Sequence, residues 1–210
     1  MQSAALGFRV HSGWTSLVAI AVVDKMPMVL SRRRVHLVET FTYAFRQPYH
    51  TGEKMPLDEA KAFIARVESE ARRLARSAIR ESQKSLLAQG YEITHSALLL
   101  ASGRPLPALP KILASHALIH TADGELFRRT LLHASSRCRL AQVAMKEREL
   151  LARATEILRI KPLALTSRIA DLGRGLGPPW TQDEKFASLI AWLSLVAPPS
   201  ALVDAAQAPA

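Results

Sequence analysis

Residues 6–23, LGFRVHSGWTSLVAIAVV, limit the possible folds of this chain more than any other segment. Two apolar runs flank a short polar stretch, residues 11–15, in which Gly13 permits a tight turn. This pattern predicts a β-hairpin. A third run rich in Val and Leu, residues 28–39, predicts another strand. Residues 4–39 are therefore expected to form a three-stranded antiparallel meander.

Helical and strand patterns alternate through the rest of the chain. Residues 56–89 carry apolar side chains at helical spacing, Pro56 suits the first helical position, and Gly90 suits the C-terminal cap. Residues 91–101 and 139–145 predict two more strands, and residues 102–105, SGRP, predict a loop after the first of them. A further helical pattern covers residues 111–137, with a break expected at 121–124, where Asp123 could cap a second helix. The last helical patterns are residues 147–159, 162–172 and 182–196.

The expected domain organisation is simple. At 210 residues the chain can bury a core as one domain. We expect a single domain over residues 1–197, with a C-terminal helical extension at about residues 161–197 and a disordered Pro- and Ala-rich tail at residues 198–210. Residues 40–55 show no period and are expected to form a loop.

The charge balance points to polyanions as partners. Lys and Arg number 28 against 18 Asp and Glu, which gives a net charge of +10 with His neutral. Such a charge attracts nucleic acid, although a basic composition can also serve solubility alone. The outer face of the helix predicted at residues 56–89 is basic, but Glu70 and Glu81 interrupt it, which favours a solvated surface there.

Cysteine content and hydropathy bear on the compartment. The single cysteine, Cys138, excludes an internal disulfide and a cysteine-based zinc site, and is typical of a reducing setting. No apolar run reaches the roughly 18 residues that span a bilayer. Residues 17–23 are better explained as a strand than as the core of a signal peptide. We therefore expect a cytoplasmic protein that does not enter the membrane.

The order of the elements resembles the ribonuclease H-like fold over roughly residues 4–196. Residues 6–21 resemble the first hairpin of its Holliday-junction-resolvase-like branch, in which an apolar strand ends in an acidic residue before a glycine turn. Residues 141–149, AQVAMKERE, resemble that branch's late strand and the turn after it, and residues 182–187, QDEKFA, resemble its last helix. The segments HSGW and SHALIHT also resemble a small group of bacterial proteins. The fold implied is α/β, with the meander and two further strands in a mixed sheet flanked by helices.

The resemblance implies a metal-dependent phosphodiester hydrolase whose carboxylates hold two magnesium ions. Here His11 stands where the first carboxylate is expected, and no acidic residue precedes Asp24. Imidazole suits manganese, zinc or nickel better than magnesium, and the two-metal mechanism needs acidic ligands between ions about 4 Å apart. Manganese or zinc is thus favoured as the divalent cofactor. The candidate catalytic residues are His11, Glu125, Glu147 and Asp183.

A second candidate metal site lies in the segment SHALIHTADGELFRR. His116 and His120 are four residues apart, so on a helix they share one face. Glu125 could be a third ligand or a general base, and two His with one carboxylate is a known catalytic arrangement. The zincin motif is excluded because Ala117 follows the first His. The alternative is that one His packs in the core, the other faces solvent, and Glu125 pairs with Arg128.

Polar groups at the hairpin turn and three arginines could contact phosphate. In actin-like relatives of the fold this turn holds nucleotide phosphate, and its hydroxyl and backbone donors suit an anion. Two of the arginines share a face of the third strand. The candidates for nucleic-acid or phosphate contact are Ser12, Gly13, Thr15, Arg32, Arg34 and Arg128.

Three functions remain open from the sequence. The first is a divergent ribonuclease H-like hydrolase or nuclease in which His11 replaces the usual acid. The second is a catalytically inactive protein that binds nucleic acid or acts as a scaffold. The third, nucleotide binding in the actin-like manner, would normally require a second domain to complete the cleft.

Overall fold

The computed structural model describes residues 1–101, 105–198 and 202. A five-stranded mixed sheet lies at its centre, in the order β3-β2-β1-β4-β5. The strands are β1 (Gln2–His11), β2 (Trp14–Val23), β3 (Met26–His36), β4 (Tyr91–Leu100) and β5 (Ala141–Lys146). The first three strands are antiparallel, and β4 and β5 run parallel to β1. Because β1, β4 and β5 are parallel, their carboxyl ends meet at one edge of the sheet.

The meander predicted from the sequence is confirmed. In the first hairpin His11 pairs with Trp14, and Gly13 adopts a φ of +82°, which favours glycine. In the second hairpin Asp24 and Lys25 both have positive φ values, 48° and 64°, as a two-residue turn between twisted strands requires. Strand β3 therefore begins two residues earlier than the Val- and Leu-rich pattern predicts.

Helices cover both faces of the sheet. They are α1 (Tyr43–Arg46), α2 (Pro48–Gly52), α3 (Leu57–Leu87), α4 (Leu109–Leu113), α5 (His116–Arg137), α6 (Leu150–Leu158), α7 (Pro162–Asp171) and α8 (Gln182–Val196). The long helices α3 and α5 bury one apolar cluster with the meander, and α6, α7 and α8 bury a second cluster on the other face. The sheet is thus the middle of three layers.

Helix α8 packs directly against the central strands. An added Cβ on Gly7 in β1 would lie 1.8 Å from the carbonyl oxygen of Ala187, so the two backbones approach closely. A capping box starts the helix, because the Thr181 N–H donates to Glu184 and the Thr181 hydroxyl accepts from the Asp183 N–H. This start fixes where the first turn of α8 lies, at the carboxyl edge of the sheet.

Two predictions of local structure were wrong. The break predicted near residues 121–124 is absent, and α5 runs without interruption through Asp123 and Gly124. Asp123 does not cap a helix because its buried carboxylate accepts hydrogen bonds from Tyr49 and His50 of α2. The loop predicted for residues 40–55 contains the short helices α1 and α2.

Two further expectations fall partly on undescribed residues. Part of the loop expected after β4, residues 102–104, lies outside the described residues. So does the tail expected to be disordered, apart from Pro198 and Leu202. No helix in the described part of the chain is long and apolar enough to cross a membrane.

Candidate functional site

Four charged or titratable side chains meet where the parallel strands end. Arg9 and His11 lie on the same face of β1, Glu147 follows β5 directly, and Asp183 lies in the first turn of α8. These four residues form what we call the Arg9 cluster. The adjacent end of β4, residues 98–100, is all leucine and adds no carboxylate. The structure thus brings together three of the four predicted catalytic residues, His11, Glu147 and Asp183.

The guanidinium of Arg9 lies between the two carboxylates. Its Nε is 3.0 Å from Oε2 of Glu147 and its Nη2 is 2.7 Å from Oε1, so it binds that carboxylate with two parallel hydrogen bonds. Its Nη1 pairs with Oδ1 of Asp183. The Arg9 and Asp183 side chains are each 19% exposed and that of Glu147 is 34% exposed. A single fixed cation therefore joins the carboxylates of the late strand and the last helix.

His11 completes the cluster from the hairpin turn. Its Nε2 is 2.9 Å from Oδ1 of Asp183, the oxygen that Arg9 also contacts. Its ring stacks on Trp14 at 4.2 Å, and the guanidinium of Arg34 lies 3.8 Å from the centroid of the Trp14 ring. The ring is therefore held in place by stacking as well as by its hydrogen bond.

The cluster perturbs the ionisation of its members. Hydrogen bonds to Glu147 raise the pKa of Arg9, against the opposing effect of burial. Burial alone would raise the pKa of Asp183, but the hydrogen bonds from His11 and Arg9 outweigh it and hold that pKa below its usual range. The ionised forms of Arg9 and Asp183 are thus mutually stabilised.

This arrangement does not fit two divalent ions. A two-metal site needs carboxylate oxygens free to bridge the ions, whereas Arg9 already takes both oxygens of Glu147 and one of Asp183. A divalent ion at the same carboxylates would also lie next to a permanent positive charge. The guanidinium therefore occupies the carboxylate oxygens that two divalent ions would need.

Arg9 is the member of the cluster that the sequence analysis missed. It lies two residues before His11, so strand alternation places the two side chains on one face. This alternation is the sequence signal that could have identified Arg9.

Glu125 lies apart from the Arg9 cluster. It is on α5, 3.8 Å from the guanidinium of Arg128, and burial raises its pKa. Burial also lowers the pKa of Arg128, although the charges of Glu125 and Glu147 oppose this. The ion pair that the sequence suggested between positions 125 and 128 is therefore present, and both side chains are mostly buried.

The candidate phosphate-binding residues are mostly engaged within the protein. Thr15 is fully buried, and its hydroxyl donates to the carbonyls of Arg9 and Ser16. Arg32 donates from Nη2 to three successive carbonyls of residues 176–178. Arg34 lies over the rings of Trp14 and Phe41.

The remaining two candidates lie in the hairpin turn itself. Gly13 is buried against the side chain of Arg46, whose Cγ would be 2.6 Å from an added Cβ. Ser12, beside it, is half-buried.

Three histidines converge on the other face of the sheet. His50 of α2 joins His116 and His120 of α5, and their ligand-type nitrogen atoms lie within 4.8 Å of one another. We call these three residues the histidine cluster. Glu125 is not part of this group. The sequence analysis missed His50 because 66 residues separate it from His116 and its segment shows no period.

A basic groove runs between α3 and the C-terminal end of α5. Besides Arg72 and Arg73, which pair with Glu68 and Glu39, five cations line it. None of these five forms an ion pair within the ranges that the structure describes. We call them the groove cations: Arg76, Arg80, Lys84, Arg137 and Arg139. Glu81, the acidic residue of the lining, is bound to Arg33 of β3.

Comparisons with known proteins bear on the fold alone. No protein-family model matches this sequence, and no curated protein is significantly similar to it. The Thermus thermophilus RuvC structure is similar at 12% identity, over 90% of this chain and 91% of that chain, with a TM-score of 0.48. The structure of T. thermophilus RuvC in complex with Holliday junction substrate is similar at 10% identity, over 90% of each chain, with a TM-score of 0.50. The α/β, ribonuclease H-like fold predicted from the order of elements is confirmed.

Proposed function

We propose that this ribonuclease H-like protein binds nucleic acid without cleaving it by the two-metal mechanism. The observation that carries the proposal is the ion pairing of Arg9 with both Glu147 and Asp183. Those carboxylates lie where the strands end and the last helix begins, the position at which a catalytic metal site is expected from the resemblance. A bound guanidinium supplies the cation there and occupies the oxygens that the metal ions would need.

The basic groove is the proposed contact with the phosphate backbone. Its cations follow α3 at positions 76, 80 and 84, which lie on one face of the helix, and continue at positions 137 and 139. Glu81 is bound to Arg33 and Glu70 accepts the N–H of Glu39, so the two acidic residues that interrupt the basic face of α3 are engaged towards β3 and the loop after it. The groove is therefore more positive than the sequence of the helix suggests.

Equilibrium binding across a salt series tests this function. Labelled single-stranded, duplex and four-way-junction DNA and RNA serve as probes, the junction because the RuvC neighbour was solved with one. If all five groove cations contact phosphate on duplex DNA, the logarithm of affinity falls with the logarithm of salt at a slope of roughly −4.5. A flat slope, or no binding at low salt, would contradict the proposal.

A charge-reversal pair locates the contact. Arg76→Glu with Arg80→Glu should weaken binding to every probe and reduce the salt slope by about 2. Lys161→Glu with Arg174→Glu makes the same change in net charge at exposed positions in the layer of α7. Equal loss of affinity in both pairs would show that net charge, and not the groove, binds the nucleic acid.

The hydrolase and nucleotide-binding alternatives have weaker support. A carboxylate-based hydrolase would require Arg9 to leave both of its partners. Phosphate binding at the hairpin turn would require the Thr15 hydroxyl to break its hydrogen bonds to two carbonyls in a fully buried position.

A further inference from the structure

We propose that the histidine cluster is a binding site for one transition-metal ion, with Zn²⁺ as the best fit, and that His50, His116 and His120 are its ligands. Three imidazoles from two helices converge, with their ligand-type nitrogen atoms within 4.8 Å of one another. Imidazole is a preferred ligand of zinc, cobalt and nickel and a poor one for magnesium. The site is independent of the Arg9 cluster, which lies on the opposite side of the sheet.

The geometry within α5 supports a shared ion. His116 and His120 are one helical turn apart, and their Nε2 atoms are 3.0 Å from each other. Two nitrogens bound to one tetrahedral zinc at about 2.0–2.1 Å are separated by roughly 3.4 Å, so a small movement of either ring admits the ion. Both side chains are exposed, which leaves the approach open.

His50 is oriented by a buried carboxylate. Its Nδ1 is 2.5 Å from Oδ2 of Asp123, whose other oxygen accepts the backbone N–H of Tyr49 at 2.8 Å. With Nδ1 bound to the carboxylate, Nε2 is the atom left for a metal. A carboxylate behind a ligating histidine fixes its tautomer and increases its basicity, and such pairs are regular features of zinc sites.

The ligand count indicates the type of site. Three protein ligands leave a fourth tetrahedral position for water, as in catalytic rather than structural zinc sites. The exposure of His116 and His120 allows solvent to reach that position. The proposed site would therefore hold an exchangeable ligand.

Metal titration of the full chain, after chelation and dialysis, tests the proposal. We expect one equivalent of Zn²⁺ by calorimetry, and Co²⁺ should give the visible bands of a four-coordinate ion. His116→Ala or His120→Ala should weaken Zn²⁺ binding by more than about 100-fold, since loss of an outer-shell partner alone costs about 10- to 100-fold. Asp123→Asn should weaken Zn²⁺ binding by about 10- to 100-fold, because Asp123 is an outer-shell partner of His50.

Two control variants separate this site from the alternatives. His133→Ala removes an exposed histidine elsewhere on α5 and should leave Zn²⁺ affinity within about twofold of wild type. Glu125→Gln should do the same, because Glu125 is not among the converging ligands. Because His116 and His120 are exposed, their variants should stay folded, with circular dichroism as the check. No stoichiometric Zn²⁺ binding by wild type, or equal loss in His133→Ala, would overturn the proposal.

Discussion

Arg9 forms ion pairs with both carboxylates of its cluster, Glu147 and Asp183. In water a surface ion pair contributes little, but Arg9 joins two partly buried carboxylates at once. Its removal would leave Glu147 and Asp183 close together without their cation. We expect Arg9→Ala to lower the free energy of unfolding by about 1–3 kcal/mol, measured by urea denaturation.

The matched control is Arg72→Ala. Arg72 pairs with Glu68 one turn away on the exposed side of α3, so its loss should cost no more than about 0.5 kcal/mol.

Millimolar Mn²⁺ should raise the melting temperature of Arg9→Ala more than that of wild type, because the ion can then replace the guanidinium. Equal effects on both proteins would contradict this account of the cluster.

Asp183 gives a prediction about pH. Its pKa in the folded protein is depressed by His11 and Arg9, so its contribution to stability is complete above its unfolded pKa of about 3.9 and is lost as pH falls through the folded value. The difference in unfolding free energy between wild type and Asp183→Asn should therefore be largest above about pH 5 and shrink below about pH 4. If this difference in unfolding free energy grows as the pH falls, the prediction for Asp183 is contradicted.

Individual site residues were only partly predictable from sequence. His11, Glu147 and Asp183 were candidates because the resemblance to the ribonuclease H-like fold draws on the strand ends and the helix start at which they lie, and the structure brings them together. Arg9 was missed because the resemblance implies a carboxylate at the end of the first strand, where His11 lies, and gives no role to position 9. His50 carries no local signal, since only the packing of α2 against α5 brings it to His116.

At the scale of elements, the contact of α8 with β1 positions Asp183. An alanine at position 7 would place its Cβ against a backbone oxygen, which cannot rotate away. We expect Gly7→Ala to cost about 3 kcal/mol or more and to separate Asp183 from Arg9. The added Cβ of Gly175→Ala meets no heavy atom within 4 Å, so that variant should stay within about 0.5 kcal/mol of wild type. Similar melting temperatures for the two variants would contradict the close packing.

Most elements followed from hydrophobic periodicity, and the wrong prediction within α5 has a tertiary cause. The bounds predicted for the last helix, residues 182–196, agree with α8 as observed. The break in α5 was predicted because Asp123 and Gly124 have low helix propensity. It was wrong because tertiary contacts keep the helix continuous at these residues. The carboxylate of Asp123 is bound across the helix interface by α2. No pattern within α5 could reveal that partner.

At the scale of the whole molecule, the Arg9 cluster, the histidine cluster and the groove cations lie at three different places in the fold. The Arg9 cluster lies at the carboxyl edge of the sheet, the histidine cluster at the start of α5, and the groove cations towards the end of that helix. The net charge of +10 predicted a polyanionic partner but not which surface would meet it. That placement depends on which acidic residues the fold pairs internally, and sequence patterns do not contain this information.

A cleavage assay under binding conditions tests the central claim most directly. Labelled four-way-junction, duplex and single-stranded DNA and RNA are incubated with the purified protein and Mg²⁺ or Mn²⁺, at a salt concentration where a mobility shift shows binding. With Arg9 holding Glu147 and Asp183, every probe should be shifted and recovered intact. Metal-dependent cleavage that Asp183→Asn abolishes would contradict the account, because it would show that these carboxylates still serve a catalytic metal.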